Sequence, residues 1–241
     1  MKEDNSEGIQ INKYISNAGF CSRREAEKLI EQARVTINDE LVMLGARVYP
    51  GDEVAVDGEK LKNKQKAIYI ALHKPVGVTS TTDTTDKSNI ISFMNHPKRI
   101  FPVGRLDKDS EGLILLTNDG DIVNKILRAG NNNEKEYVVT VDHELTGEMI
   151  RQMGVGVNIL GERTKPCYVK QENARRFRII LKQGLNRQIR RMCAELGYKV
   201  KTLKRIRIMH ITLGNLAVGK WRYLTPTEIM QLEKTLMGSS N

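Results

Sequence analysis

The stretch GRLDKDSEGLILLTNDG, residues 104–120, places three acids and a glycine in front of an unbroken apolar run. Asp107, Asp109, Glu111 and Gly112 nearly spell the opening D-x-[DN]-x-[DN]-G of a calcium loop. Three features count against one. Such a loop needs a bidentate glutamate at its twelfth position and flanking helices. Here the twelfth position is Asn118, the fifth is Glu111, and the acids run into Leu113–Leu116, which reads as a strand. Apart from an ordinary acidic surface turn, two alternatives stay open. Either Asp107 and Asp109 hold a divalent metal in a hydrolase-like site, or one of the acids is a catalyst in its own right.

Outward from this stretch, strands outnumber helices. IYIALHKPVG, residues 68–77, opens as a strand from Ile68 to Leu72 and ends at a Lys74-Pro75 turn. Downstream come an N-D-G turn, a helix around 122–127 stopped by Gly130, and strands at 137–141 and 177–181. A helix over 186–196 buries Ile189, Met192, Cys193 and Leu196 and ends at Gly197. The strand after it alternates Arg205 and Arg207 with Ile206 and Ile208. Hairpin-like strands with few helices between them predict an α+β class with a mixed, largely antiparallel sheet. Gly154-Val-Gly156 is half a dinucleotide fingerprint without its third glycine and is discounted.

The N-terminal part is a separate module. Residues 1–8 are polar and read as a disordered tail. Ile11, Tyr14, Ile15 and Ala18 then share one helical face that stops at Gly19. Ser22 and Glu25 form a capping box for a second helix, with Ala26, Leu29, Ile30 and Ala33 inward. Short strands follow at Val35 and Ile37, Leu41 and Val42, and Val54 and Val56 after the Pro50-Gly51 turn. Lys13, Arg23, Arg24 and Lys28 face outward. Arg23 and Arg24 lie in the first turn of their helix, where free N–H groups attract phosphate. The expected organisation is a module over 9–60, a lysine-rich linker over 61–67, and a second domain over 68–241.

Composition narrows the class. The chain has 241 residues, 39% hydrophobic and 28% charged, which suits a globular protein with a real core. No apolar run approaches the roughly 18 residues of a membrane span. The opening MKEDNSEG lacks a basic-then-apolar signal pattern, so a cytoplasmic location is expected. Cys21, Cys167 and Cys193 are too far apart for a zinc pair and odd in number, which fits a reducing compartment. The net charge is +10. Residues 175–207 carry twelve Lys and Arg against the single acid Glu195, while outside them 27 basic and 28 acidic residues nearly cancel. Charge gathered into one segment points to a polyanion, and nucleic acid is the obvious one.

The module at INKYISNAGFCSRREAEKLIEQARVTIND resembles the alpha-L RNA-binding domain of certain ribosomal proteins and RNA-modifying enzymes. GRLDKDSEGLILLTNDG, LHKPVGVTST (72–81), KEYVVTV (135–141) and GLNRQIRRM (184–192), in that order, resemble the motifs of the pseudouridine synthases, in the branch of the RsuA, RluB, RluE and RluF enzymes and most nearly the RluF type. The resemblance spans roughly residues 9 to 225. It implies a pseudouridine synthase catalytic domain that detaches uracil from a uridine, rotates it and rejoins it through carbon 5. Asp107 then matches the catalytic aspartate, Arg190 its basic partner, and Tyr137 the tyrosine that packs on the target base. Leu203 matches an apolar floor residue. Arg105, Leu106, Lys108, Asn186, Arg187 and Gln188 flank these motifs and are expected RNA contacts, as are Lys13, Arg23, Arg24 and Lys28 in the module. The reaction implies neither cofactor nor metal. Large-subunit ribosomal RNA is the expected partner, with a transfer-RNA anticodon as a second target and the protein acting as a monomer. The alternative from another class is a non-catalytic RNA-binding ribosome-assembly factor.

Overall fold

The computed structural model describes residues 8–61, 65–127 and 133–237. Residues 1–7 of the expected tail, 62–64 of the expected linker and the Gly130 helix stop lie outside them. The chain divides into two compact units, Met1–Ala67 with Pro97–Arg99, and Ile68–His96 with Ile100–Asn241.

In the first unit, helices Ile11–Asn17 and Arg23–Glu31 pack Ile11 and Ile15 against Ala26 and Ile30. Each pair is four residues apart, so it shares one face. The second helix starts at a complete capping box. The Ser22 hydroxyl accepts from the Glu25 amide at 3.2 Å, and the Glu25 carboxylate accepts from the Ser22 amide at 2.7 Å. That bond holds Glu25 below the usual carboxylate range. It also places an anion at the helix start, which weakens the attraction of that end for another anion. The helix ends earlier than expected. Ala33 adopts a left-handed conformation and is exposed instead of packing inward. Strands Glu40–Leu41, Val35–Ile37, Val54–Val56 and Glu59–Lys60 form an antiparallel sheet in that order, and Val35, Val54 and Val56 close the core.

The second unit is built on a nine-stranded sheet. Its main path runs Tyr168–Asn173, Arg176–Leu181, Lys135–Val141, Val200–Ile208, Glu111–Thr117, Tyr69–Lys74, Trp221–Tyr223. Every pairing is antiparallel except the central one, where Val200–Ile208 runs parallel to Glu111–Thr117 through Lys204 with Glu111 and Arg205 with Gly112. Around the strands Glu111–Thr117 and Tyr69–Lys74 both faces are covered, so alternate residues enter different cores. Ile70, Leu72, Ile114 and Leu116 join Ile189, Met192 and Cys193 of the helix Gln188–Glu195. Ala71, Leu113 and Leu115 on the opposite face join Ile122 and Ile126 of the helix Gly120–Leu127 and Leu232 of the helix Pro226–Met237.

Three local expectations need correction. N-D-G is not a turn but the start of a helix: the Asp119 side chain accepts from the Asp121 amide at 3.1 Å, and Gly120 is already helical. The helix expected from Asn186 begins at Gln188, because Arg187 before it is left-handed at φ 50, ψ 34. The alternation of arginines and isoleucines along 205–208 breaks at a bulge, where Glu136 pairs with Arg207 and Tyr137 with Arg205. Bulges re-aim side chains. Here Arg205 is buried and Ile206 is only half-buried.

Candidate active site

The acid loop ends where the central parallel pair begins. Gly112, with φ +121, is the hinge between them: a Cβ there would collide with the backbone of Arg205. Only glycine lets the two strands approach and so sets the loop against the Arg205 strand. Within the loop, the Ser110 amide donates to the Asp107 carbonyl at 3.0 Å, closing a turn that presents the Asp107 side chain.

The LHKPVGVTST segment clamps the loop from outside. The Ser80 hydroxyl donates to the Leu106 carbonyl at 2.8 Å and accepts from the Leu106 amide at 3.2 Å. The Gly77 amide donates to the Lys108 carbonyl at 2.7 Å. Lys74 shapes the clamp in turn. Fully buried, its ammonium donates to the carbonyls of Pro75 and Val78 at 2.8 and 2.9 Å. Burial, helped by the charge of Arg205, pushes its pKa down to about 8.

The GLNRQIRRM segment faces the loop from the other side. Arg187 donates twice to the Asp109 carboxylate, at 3.0 and 2.8 Å, and lies 3.6 Å from the Asp107 carboxylate. Arg190 donates to the Asp109 carbonyl at 2.8 Å and to the Ser110 hydroxyl at 3.2 Å, and its Nε lies 3.3 Å from the Asp109 carboxylate. The two adjacent acids therefore differ. Asp109 is gripped by two guanidiniums, and the bond from Arg187 above all holds it below the usual carboxylate range. Asp107, though the less exposed of the two, has Arg187 only at arm's length. A carboxylate whose lone pairs are tied up is a poor nucleophile; Asp107 is the one left available. The cation that reaches it is Arg187, whereas the sequence pattern assigned that place to Arg190. Arg190 grips the backbone and hydroxyl just behind it.

Asp107, Tyr137, Arg190 and Leu203 line one cavity of about 470 Å³, together with Arg105, Leu106, Asn186, Arg187 and Gln188. That volume suits a small ligand. Tyr137 lies across the strand pair from Arg205, and Leu203 across from Val139. Lys108 is exposed beside the cavity and does not line it. Gln188, expected as an RNA contact, is only 4% exposed, and its amide oxygen accepts from the Leu185 amide at 3.1 Å. It supports the 183–186 loop. In the first unit Arg23, Arg24 and Lys28 are exposed and Lys13 is half-buried. Residue reasoning missed Lys74, Ser80, Ser110, Lys135 and Arg205. Lys74 and Ser80 sat inside a quoted motif without a role, and the bulge concealed Arg205.

The basic segment is less free than its composition suggests. Seven of its twelve cations pair with acids, all from outside the segment: Arg176 and Arg178 with Glu172 and Glu136, Lys182 and Arg207 with Glu134, Arg187 and Arg190 with Asp109, and Lys204 with Glu111. Arg175, Arg191, Lys199 and Lys201 are exposed and form no ion pair among the described residues. Among those residues, no group of three His, Cys, Asp or Glu side chains is placed to hold a metal, and no helix is long and apolar enough to cross a membrane.

A family model described as RNA pseudouridylate synthase matches residues 68–195, and an S4 domain model matches residues 11–54. The chain belongs to the RNA pseudouridylate synthase family. Among its relatives, the dual-specificity RNA pseudouridine synthase RluF of Escherichia coli (strain K12) is 54% identical over 97% of this chain and 81% of its own length. Ribosomal large subunit pseudouridine synthase B of Bacillus subtilis (strain 168) is 34% identical over 92% of this chain and 95% of its own. A crystal structure of a pseudouridylate synthase superposes with a TM-score of 0.68 at 31% identity, covering 93% of this chain and 99% of that one. The pseudouridylate synthase match thus spans the acid loop, its clamp and the helix that faces it.

Proposed function

We propose that this chain converts uridine to pseudouridine at a defined position in large-subunit (23S) ribosomal RNA, and at an anticodon uridine of transfer RNA as a second substrate. The observation that carries this is the unequal pair of acids: Asp109 is locked by two guanidiniums, and Asp107 is open to a cavity that Tyr137 and Leu203 also line. The Bacillus subtilis relative is named for the ribosomal large subunit, which supports the first substrate, and the Escherichia coli relative is named as dual-specificity, which supports there being a second RNA.

The target uridine enters flipped out of its stack, at a cost of a few kcal/mol. Tyr137 packs on the base and Leu203 forms the apolar floor. Asp107 supplies the carboxylate, and Arg187 and Arg190 keep its loop in place and in a positive field. Arg105, Lys108 and Asn186, with the exposed Arg175, Arg191, Lys199 and Lys201, hold the flanking backbone and so offset the flipping cost. The S4 module, through Lys13, Arg23, Arg24 and Lys28, supplies affinity and placement. One chain carries every residue this scheme uses, so it acts as a monomer, in the cytoplasm where its RNA is.

Asp107→Asn tests the assignment. It keeps the shape of the side chain and removes the nucleophile. Pseudouridine is mapped in total RNA incubated with either protein, alongside RNA affinity. Full binding with turnover below one-tenth of wild type is expected. Turnover above that sinks the role of Asp107, and magnesium-dependent strand cleavage without pseudouridine would favour a two-carboxylate hydrolase.

A further inference from the structure

Arg205 is the least explained charge in the protein. Its side chain is only 3% exposed and lines the same cavity as Asp107. Nε donates to the Leu113 carbonyl at 2.7 Å and Nη1 to the Arg105 carbonyl at 3.2 Å, whereas Nη2 is buried with no partner. No carboxylate pairs with the guanidinium among the described residues. A buried cation without a counter-ion is costly, as is a buried N–H without an acceptor. Such costs persist where the group has work to do. The bulge pairs Arg205 with Tyr137, the residue on which the base packs, and both line the cavity.

A second cation lines the cavity nearby. Lys135, on the strand of Tyr137, donates to the Asn133 carbonyl at 3.3 Å. Burial pushes its pKa down, and the charge of Arg205 adds to that effect. Arg205 and Lys135 therefore give the cavity lining two cations that no carboxylate pairs with among the described residues, where the expected substrate fragment, uracil, is neutral before the reaction.

The chemistry of the rearrangement supplies the missing anion. When the N1–C1′ bond breaks, its electron pair stays on the base, spread over N1 and the two carbonyl oxygens. The pair returns to C1′ through C5, the C5 proton leaves and N1 takes one up, so the product is an isomer. We propose that Arg205, supported by Lys135, holds a carbonyl oxygen of the flipped uracil and stabilises the negative charge on the detached base. This rests on the pseudouridine-forming function above. It adds a catalytic cation distinct from those around Asp107, one that acts on the base and not on the carboxylate.

The test uses the full-length protein and a transcript that the wild type modifies at a mapped site, made with uridine or with 5-fluorouridine there. Fluorine withdraws electrons, so the detached base needs less help. Single-turnover loss of the N-glycoside is followed by mass spectrometry of digests, with RNA affinity by filter binding. For Arg205→Gln, we expect uridine conversion to slow by at least about a hundredfold, the range for losing one preorganised donor to a developing anion. Affinity should stay within threefold, and the deficit on 5-fluorouridine should be at least tenfold smaller. Equal deficits on both RNAs, a loss of affinity matching the loss of rate, or a rate within tenfold of wild type would overturn the proposal. Arg205 also braces two carbonyls, so if Arg205→Gln does not fold, Lys135→Gln decides. It leaves those braces intact and should show a smaller deficit with the same fluorine dependence; an equal deficit on both RNAs, or none, rejects the proposal. A wild type that makes no pseudouridine in any RNA is a different failure and removes the underlying function itself.

Discussion

Replacing Arg190 separates two ways a cation can serve Asp107. Arg190 makes a charge-assisted bond to the Asp109 carbonyl, a second to the buried Ser110 hydroxyl, and an ionic contact with the Asp109 carboxylate. Each charged bond is worth about 1.5–3 kcal/mol, and an orphaned buried hydroxyl costs about 1–3 kcal/mol. These contributions overlap, so Arg190→Ala should destabilise the fold by about 3 kcal/mol, read as a shift of the urea midpoint. The larger effect should be on rate. Arg190 fixes Asp109 and Ser110, the last two residues of the Asp107 turn, and a displacement of about 1 Å in a reacting group can cost a hundredfold. Single-turnover conversion should fall by at least about that factor while RNA affinity changes little. Arg190→Lys is the decisive partner. Its ammonium keeps the charge but lacks the planar fork needed to span the Asp109 carbonyl and the Ser110 hydroxyl. If bracing matters, the lysine variant will resemble alanine. If it works within about threefold of wild type, charge alone suffices and the bracing argument is wrong.

Replacing Lys13, Arg23, Arg24 and Lys28 together by alanine should raise the apparent KM for RNA much more than it lowers kcat, and should flatten the log–log salt dependence by about two to four units. An unchanged slope in a folded variant would mean the module binds something other than this substrate. Two pH dependences follow from side chains outside the reacting group. Bonds from Arg222 and the Thr225 amide bring Glu228 down to about 2. The folded state therefore holds that proton more weakly than the unfolded chain, and about 2–3 kcal/mol of stability should be lost as pH falls from about 4.5 towards 2; Glu228→Gln should show less of this acid limb. For Lys74, at about 8 when folded against 10.5 for an ordinary lysine, the unfolded chain binds more protons in between. Stability relative to Lys74→Met should climb as pH rises through that window, and a flat difference would remove Lys74 from the titration.

What was legible in the sequence followed from periodicity and motif order. Unbroken apolar runs in LILL and IYIAL placed two neighbouring strands of the sheet, because each of these stretches is buried on both faces. The capping box at Ser22 and Glu25 could be read because all of its atoms lie within four residues. The missed features depend on residues distant in the chain. The helix start at Gln188 moved because Arg187 takes a left-handed conformation, where it can reach Asp109, 78 positions away. Ala33 turned outward because a helix end is set by the backbone's next direction, which the apolar spacing did not encode. The bulge at Ile206 exists only where two strands pair, so a strict alternation hid which arginine points inward.

The charged segment shows the same limit for electrostatics. Its excess of eleven positive charges was a correct count, and it pointed correctly to a nucleic-acid partner. Yet charge available to RNA depends on which acids the fold brings alongside. Glu134 and Glu136 arrive at the start of the strand next to Arg178 and Arg207, and Asp109 and Glu111 arrive where the acid loop enters its strand, beside Arg187, Arg190 and Lys204. These contacts divide one run of basic residues into three groups. The paired ones hold strands and the acid loop together, and Arg175, Arg191, Lys199 and Lys201 remain exposed for phosphate. Arg205 alone is buried without an acid, beside the cavity where a neutral base must become a leaving group. A linear charge count cannot separate these groups, because the difference between a brace, a phosphate contact and a catalytic cation lies in the partner each one meets after folding.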